Sequence, residues 1–507
     1  MKMKLKEIIK DIKKKKVSNL NNYDIEGIAY DSRKVKENYI FVAIKGTKQD
    51  GHNFINDAIE RGAKCIIVSK RPSIVPAHVT EIIVEDTKET LSEIANIYFE
   101  FPSKKLNVVG ITGTNGKTTT SFIIKEILKE NGIKSGLIGT IFYEIGERRI
   151  ISTNTTPESL DLIEMFSDML KDNCKWVVME VSSHGIDQRR IEGIDFNVGI
   201  FTNIASHEHL DYHKTFKNYL QTKLLLFKKY LKESEKKEKY AIINLDSKFS
   251  KTFIKTCERE KIPWITYGKN KNSKIKLVDW RISKEGNYVK VEIEKEKLYF
   301  ESKISGLGNV YNLLAGISFA YLYKLPFDKV KNAILKIENV PGRFEFINEG
   351  QQFSVIVDYA HTHHALQNLL LSVKSLNPRR IILIFGCGGD RDKSKRPLMG
   401  KISVKMADYV IITSDNPRSE DPLKIIKDIE SGIPFYLKRK YTKIPDRRQA
   451  IYEGISMAKE NDCVVIAGKG HEAFQILKDV TIPFDDREEA RKAIREILKK
   501  KKQEILF

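Results

Sequence analysis

Cysteine is scarce: Cys65, Cys174, Cys257, Cys387 and Cys463 are the only five in 507 residues, and no two stand at Cys-x-x-Cys spacing. This excludes a zinc motif and a disulfide framework. It fits a reducing compartment, with all five as small core residues. Long apolar runs are missing too, and none reaches the roughly 18 residues of a membrane span. The start, MKMKLKEIIKDIKKKK, carries Asp and Glu among its lysines and lacks the apolar block of a secretory signal. The expected location is the cytoplasm. Acidic residues are outnumbered, 67 against 88 Lys and Arg, leaving a net charge of +21. Such a charge invites a nucleic-acid partner. Yet the lysines at 13–16, 228–239 and 499–502 read as solvated helix faces and a tail, and no basic strand is interleaved with aromatics. The expectation is no nucleic acid and no membrane span, but small acidic substrates drawn by the field.

What is present centres on residues 106–120, LNVVGITGTNGKTTT. An apolar strand candidate, Leu106–Val109, runs into a Gly/Thr loop and then into a helix opened by Lys117 and three threonines. Glycines let the backbone approach phosphate oxygens, the N–H groups and helix N-terminus face the anion, Lys117 adds charge, and Thr118 offers a hydroxyl to Mg²⁺. The spacing is G-x-T-G-T-N-G-K-T, with Ile111 where the usual G-x-x-x-x-G-K-[ST] pattern has glycine.

At about 150 residues per domain the length suggests three. Residues 1–98 read as a small α/β domain, with strands at Ile40–Ala43, Lys64–Ser69 and Ile82–Glu85 and a helix at Phe54–Arg61. Residues 99–333 alternate strands (Gly136–Thr140, Trp176–Glu180, Val198–Asn203, Tyr240–Asn244) with helices, which means a parallel, doubly wound sheet; 275–304 adds a small antiparallel piece. Residues 334–507 repeat the alternation at Ser354–Val357, Ile381–Phe385, Tyr409–Thr413 and Cys463–Ala467. The fold class is α/β: a central phosphate-loop sheet and a C-terminal Rossmann-like domain. Each C-terminal strand runs into a polar cluster: Asp358–His361, Gly386–Arg391, Asp415–Arg418 and Gly468–Glu472. Parallel sheets hold ligands beyond their carboxyl ends, so the four clusters predict one cleft.

Glu180 ends an apolar strand roughly 60 residues after the loop, where an acid can hold Mg²⁺. His209 follows the next strand as a second candidate ligand. Gly110–Thr120, Thr155-Thr156-Pro157, Glu180–Gly185, Thr202-Asn203 with His209–His213, Gly306–Asn312, Gly342–Glu345, Asp358–His361 and the C-terminal clusters together resemble the Mur ligase family of peptidoglycan synthesis, over nearly the whole chain. The resemblance implies a UDP-muramoyl-binding N-terminal domain, a central ATP-binding domain, a C-terminal amino-acid-binding domain and a monomer. Gly113, Thr114, Asn115, Gly116, Lys117, Thr118, Thr119, Asn312, Arg343, Asp358 and His361 would serve ATP. Ser32 would meet the uridine end, and Thr155, Thr156, Ser182, Gln188 and Arg190 the muramoyl dipeptide. Thr118, Glu180 and His209 would serve Mg²⁺, and Lys223 matches the family's carbamylated lysine (N6-carboxylysine), whose carboxylate would join them; Lys117, Glu180, His209 and Lys223 would be the catalytic set.

The chain departs from the family pattern in three places. One extra residue between Asn203 and His209 leaves His207 or His209 as the ligand, Thr362-His363-His364 replaces Thr-Pro, and Gly308 stands where a phenylalanine precedes Asn309. The chemistry of the third amino acid can be argued from its two heads. A meso-diaminopimelate-like substrate needs a cation for its distal carboxylate and an acid for its ammonium, and Arg391, Asp415, Asn416, Pro417, Arg418, Gly468 and Glu472 supply such a set. Lysine would leave Arg418 unpaired, at about 3–5 kcal/mol; meso-lanthionine would fit equally. The rivals are a lysine-adding ligase of the same family, a folylpolyglutamate synthetase-like ligase, and a nucleic-acid-dependent NTPase.

Overall fold

The structure is a computed structural model describing residues 2–12, 15–46, 49–72, 74–205 and 209–505. Its strands gather mainly into three sheets. The central one has eleven strands among the described residues. From Ser135–Ile138 the order runs through Trp176–Glu180, Asn107–Thr112, Val198–Phe201, Tyr240–Asn244, Trp264–Gly268 and Ile275–Ile282, every pair parallel. Alternate residues feed two cores. Val177 and Met179 pack with Phe166 and Phe227, while Trp176 and Val178 pack with Ile123 and Leu313. A strand buried on both faces is uniformly apolar, as in parallel sheets covered by helices on both sides.

The antiparallel addition expected at 275–304 is present as Ile275–Ile282, Asn287–Ile293 and Glu296–Ser302. A second antiparallel hairpin, Phe142–Ile145 with Arg148–Ile151, edges the other side and was not foreseen. Arg148–Ile151 is exposed along its whole length, so it has no buried face to impose the period-two pattern that marks a strand. The strand expected at Ile82–Glu85 lies two residues earlier, at Thr80–Ile83, because Asp86 caps the helix Thr87–Tyr98 by accepting from the Lys88 and Glu89 N–H groups.

The chain passes from Asn107–Thr112 outward to Ser135–Ile138, returns to Trp176–Glu180 beside it, then crosses to Val198–Phe201 on its other flank. This reversal is a topological switch point, where doubly wound sheets open a crevice at the strand ends. It sets the phosphate loop between Glu180 and Thr202-Asn203.

In the C-terminal sheet Ser354–Asp358, Cys463–Ala467, Ile381–Phe385 and Tyr409–Ile412 are consecutive and parallel. All four polar clusters therefore leave the same edge. The N-terminal sheet orders Lys16–Ser18, Thr80–Ile83, Ala63–Val68, Tyr39–Val42 and Gly27–Ala29. All five cysteines are free and buried. Among the described residues no helix is long and apolar enough to cross a membrane.

Candidate active site

The phosphate loop is fixed by its neighbours on the adjacent strand. Asn115 N donates to Asn203 Oδ1 (3.0 Å), Thr114 N to Asn203 O (2.9 Å) and Thr202 Oγ1 to Asn115 O (2.6 Å). The helix Lys117–Glu130 follows with Thr118 and Thr119 buried in its first turn. Gly116 has φ +87°, and a Cβ there would fall 2.4 Å from Asn312 Oδ1. Only glycine lets the loop close over Asn312. The ammonium groups of Lys117 and Lys223 converge on one carbonyl, Gly113 O, at 2.9 Å each. Gly308 is exposed, and a Cβ there would meet nothing within 4 Å.

Glu180 is fully buried and takes two bonds from Thr140, at Oε1 from N (2.7 Å) and at Oε2 from Oγ1 (3.0 Å). His209 sits in the left-handed region with φ +57°. Burial first, then the charges of Lys223, His184 and Lys117, hold its imidazole down to about 2, which favours the neutral ring. Among the described residues no three of His, Cys, Asp and Glu gather as a cage. A divalent cation here would need Glu180, whose oxygens keep spare lone pairs, with His209, the Thr118 hydroxyl and a Lys223 turned into a carbamate. The donor set fits a hard cation on that condition. His207 lies outside the described residues.

Thr155, Thr156, Ser182, Gln188 and Arg190 come together beside this crevice. Thr155 Oγ1 lies 3.1 Å from Thr140 Oγ1, and Thr156 Oγ1 lies 3.1 Å from Ser182 Oγ, the cap of a short helix. Arg190 donates to Thr156 O and Gln188 Oε1, both at 2.7 Å. Glu158, which carried no sequence expectation, stands 3.6 Å from Arg190 Nε. Burial pushes its carboxyl up, with Arg190 opposing. A cleft of about 390 Å³ opens from Gln188 and Tyr212 toward Lys45, Ser69 and Lys88 of the N-terminal segment. Ser32 does not line it: it is buried and bonded to Asp57.

The C-terminal clusters face the same crevice. Arg343 Nη2 donates to Thr118 Oγ1 (3.2 Å), and its guanidinium lies over the Tyr359 ring at 4.5 Å. Gly342 has φ +64° and packs so tightly on Gly470-His471 that a Cβ would come within 2.1 Å of His471 N. The His471 ring bonds the Thr140 backbone, and the Arg391 charge reaches His184. Asp358 accepts from Phe344 N (2.7 Å) and Ala360 N (2.8 Å). Burial holds the His361 imidazole down to about 4.

Asn416 Nδ2 donates to Glu472 Oε2 (2.8 Å), and Arg418 Nη1 to Gly389 O (2.8 Å). Arg391 is exposed at the rim, and Pro417 is packed against Gly389. Burial opposes the ionisation of Asp415, but the charges of Arg447 and Lys469 hold its carboxyl below the usual range. Lys469, not anticipated, is fully buried and donates to both Asn416 Oδ1 (3.1 Å) and Glu472 Oε2 (3.2 Å). Its position one residue after Gly468 was the signal available.

A phosphate loop at a switch point facing a second parallel sheet's strand ends defines a nucleotide-dependent enzyme that joins two substrates. Residues 24–99 match the Mur ligase family catalytic domain, 111–320 the Mur ligase middle domain, and 342–470 the Mur ligase glutamate ligase domain. A protein of Caldanaerobacter subterraneus named UDP-N-acetylmuramoyl-L-alanyl-D-glutamate–2,6-diaminopimelate ligase is 43% identical over 97% of this chain and 99% of its own. A solved structure of a ligase with that name is 30% identical, with TM-score 0.67 over 98% of this chain and 99% of its own. The MurF ligase of Thermotoga maritima in complex with ADP shares the fold at 18% identity and TM-score 0.64, over 94% of this chain and 98% of its own. The chain belongs to the Mur ligase family and is an ATP-dependent ligase.

Proposed function

We propose that the enzyme adds meso-2,6-diaminopimelate, or a close analogue such as meso-lanthionine, to the D-glutamyl γ-carboxylate of UDP-N-acetylmuramoyl-L-alanyl-D-glutamate in peptidoglycan precursor synthesis. The observation that supports this reading is the contact of Arg343 with Thr118, which sets the C-terminal segment against the phosphate loop. Three domains divide the work. Residues 1–98 take the UDP-muramoyl end, 99–333 ATP, and 334–507 the amino acid.

The γ-carboxylate oxygen attacks the γ-phosphorus of ATP, forming an acyl phosphate and releasing ADP. Lys117 and the loop N–H groups hold the transferring phosphoryl, and Arg343 approaches from the facing sheet. The diamino acid's amine then attacks the acyl carbon. The tetrahedral intermediate expels phosphate and the amine loses its proton. Glu180, His209, Thr118 and a carbamylated Lys223 would hold Mg²⁺, which when bound spreads phosphoryl charge. Thr155, Thr156, Ser182, Gln188 and Arg190 orient the dipeptide, and the closed C-terminal segment keeps water from the acyl phosphate.

Arg391 and Arg418 would receive the distal carboxylate and Glu472, set by Asn416, the distal ammonium. Phosphate release with the UDP-muramoyl dipeptide and a panel of meso-diaminopimelate, meso-lanthionine, L-lysine and L-ornithine tests the reading. The two-headed amino acids should turn over best; preference for L-lysine would overturn it.

A further inference from the structure

Behind the pocket lies a buried ion pair outside the substrate-binding set. Arg447 opens the helix Arg447–Ser456, Asp486 opens the helix Asp486–Ile505, and both side chains are fully buried. Their bond is bidentate: Arg447 Nε to Asp486 Oδ1 and Nη2 to Oδ2, each 2.7 Å. The remaining donors reach backbone. Nη1 donates to Ser414 O (3.2 Å) and Nη2 also to Ala467 O (3.1 Å). Ser414 immediately precedes Asp415–Arg418, and Ala467 immediately precedes Gly468–Glu472. One planar guanidinium thus ties together the two strand ends from which the amino-acid pocket hangs.

We propose that Arg447, oriented by Asp486, is a positioning residue that sets the separation of the Asp415–Arg418 and Gly468–Glu472 loops and thereby the affinity for the amino acid's distal head. No atom of the Arg447 side chain is open to a ligand, so it acts through the loops. Its fork matches a carboxylate in plane while keeping donors for two carbonyls, which a lysine ammonium on a flexible stem cannot reproduce. The loops have ties of their own: Gln475 Nε2 to Asp415 O (2.7 Å), and Ile476 N to Asn416 Oδ1 (3.0 Å). These, with Asn416 Nδ2 to Glu472 Oε2 (2.8 Å) and Lys469 Nζ to Asn416 Oδ1 (3.1 Å), join the two loops beyond the strands, whereas Arg447 joins them at their bases, Ser414 and Ala467.

The inference rests on the pocket taking a diamino acid. The test uses the full chain and Arg447→Lys, with Asp486→Glu as the second variant, which keeps both charges but moves the fork by one methylene. For each, KM values for meso-diaminopimelate, ATP and UDP-muramoyl dipeptide are measured beside the melting temperature. The expected result is a rise in KM for meso-diaminopimelate of about tenfold, equivalent to ~1.4 kcal/mol, with the other two KM values within about twofold. The preference over L-lysine should shrink in parallel. Equal changes in all three KM values, or a lowered melting temperature with unchanged KM, would overturn it. If Arg447→Lys does not fold, the same readings on Asp486→Glu decide. Wild-type enzyme that ignores meso-diaminopimelate would instead refute the substrate assignment.

Discussion

The two halves of the crevice are held by different means. Around the phosphate loop the ties from the adjacent strand are neutral, the Asn203 carboxamide, the Thr202 hydroxyl and backbone carbonyls, and the charged groups that reach it, Lys117, Lys223 and Arg343, bond a carbonyl or a hydroxyl rather than an acid. Behind the proposed amino-acid pocket they are charged, each centred on a fully buried arginine. Besides Arg447 and Asp486, Arg396 is fully buried and donates to Glu420 Oε1 and Oε2 (both 2.9 Å), Asp428 Oδ2 (2.8 Å) and Gly388 O (3.1 Å). A polyanion is met by N–H groups, which must be aimed but need no counter-charge of their own. A zwitterionic head needs fixed cations and acids side by side, and the surroundings must keep those from pairing wrongly.

That contrast can be broken in several places. The largest effect is expected at the loop itself: Lys117→Ala should lower phosphate release by at least about 10²–10³-fold while calorimetry still registers dipeptide binding, and retained turnover would remove the loop from the mechanism. On the charged side, Arg396→Met leaves Glu420 with only Lys393 (3.3 Å) and partial solvent, and chemical denaturation should show a loss of about 3 kcal/mol, the low end for a buried pair. On the neutral side, Asn203→Ala should cost only about 1 kcal/mol, because it frees one half-buried N–H rather than a charge. A loss as great as that of Arg396→Met would erase the distinction. Arg418→Ala should raise KM for the diamino acid far more than KM for ATP; an equal rise would mark Arg418 as structural.

The smallest effect belongs to two histidines at the C-terminal strand ends. Burial holds His361 down to about 4 and His471 to about 3, so from an ordinary value near 6.5 the unfolded chain takes up protons that the folded chain refuses. Stability is complete above about pH 6.5 and falls as pH drops toward 4. Melting temperature measured from pH 7.5 to 5 should decline, and His361→Gln should flatten the slope. A flat wild-type profile would show that these imidazoles are not neutral in the folded state.

Much of this was legible because parallel strands announce themselves. Trp176–Glu180, Tyr240–Asn244, Ile381–Phe385 and Cys463–Ala467 were placed to the residue, since a strand buried on both faces is a short apolar run that stops where polar chemistry begins. The polar clusters read after the C-terminal runs leave one edge of that sheet, because its strands are parallel. What escaped was tertiary. The exposed strand Arg148–Ile151 has no buried face, and the partnership of Arg447 with Asp486 spans 39 residues that no local period connects. Lys469 carried no expectation of its own, and only the fold seals it against Asn416 and Glu472. The bond of Ser32 to Asp57 likewise joins residues that no local period connects.

The central claim is that one crevice brings the nucleotide's terminal phosphate to the Lys117 loop and the amino acid's two heads to Arg418 and Glu472. A crystal soaked with a non-hydrolysable ATP analogue, the UDP-muramoyl dipeptide and meso-diaminopimelate tests it most directly. The account predicts the γ-phosphate within hydrogen-bond reach of Lys117, the distal carboxylate on Arg418, and the D-glutamyl carboxylate between them. A diamino acid bound away from Arg418 and Glu472, or a nucleotide seated outside the loop, would contradict it.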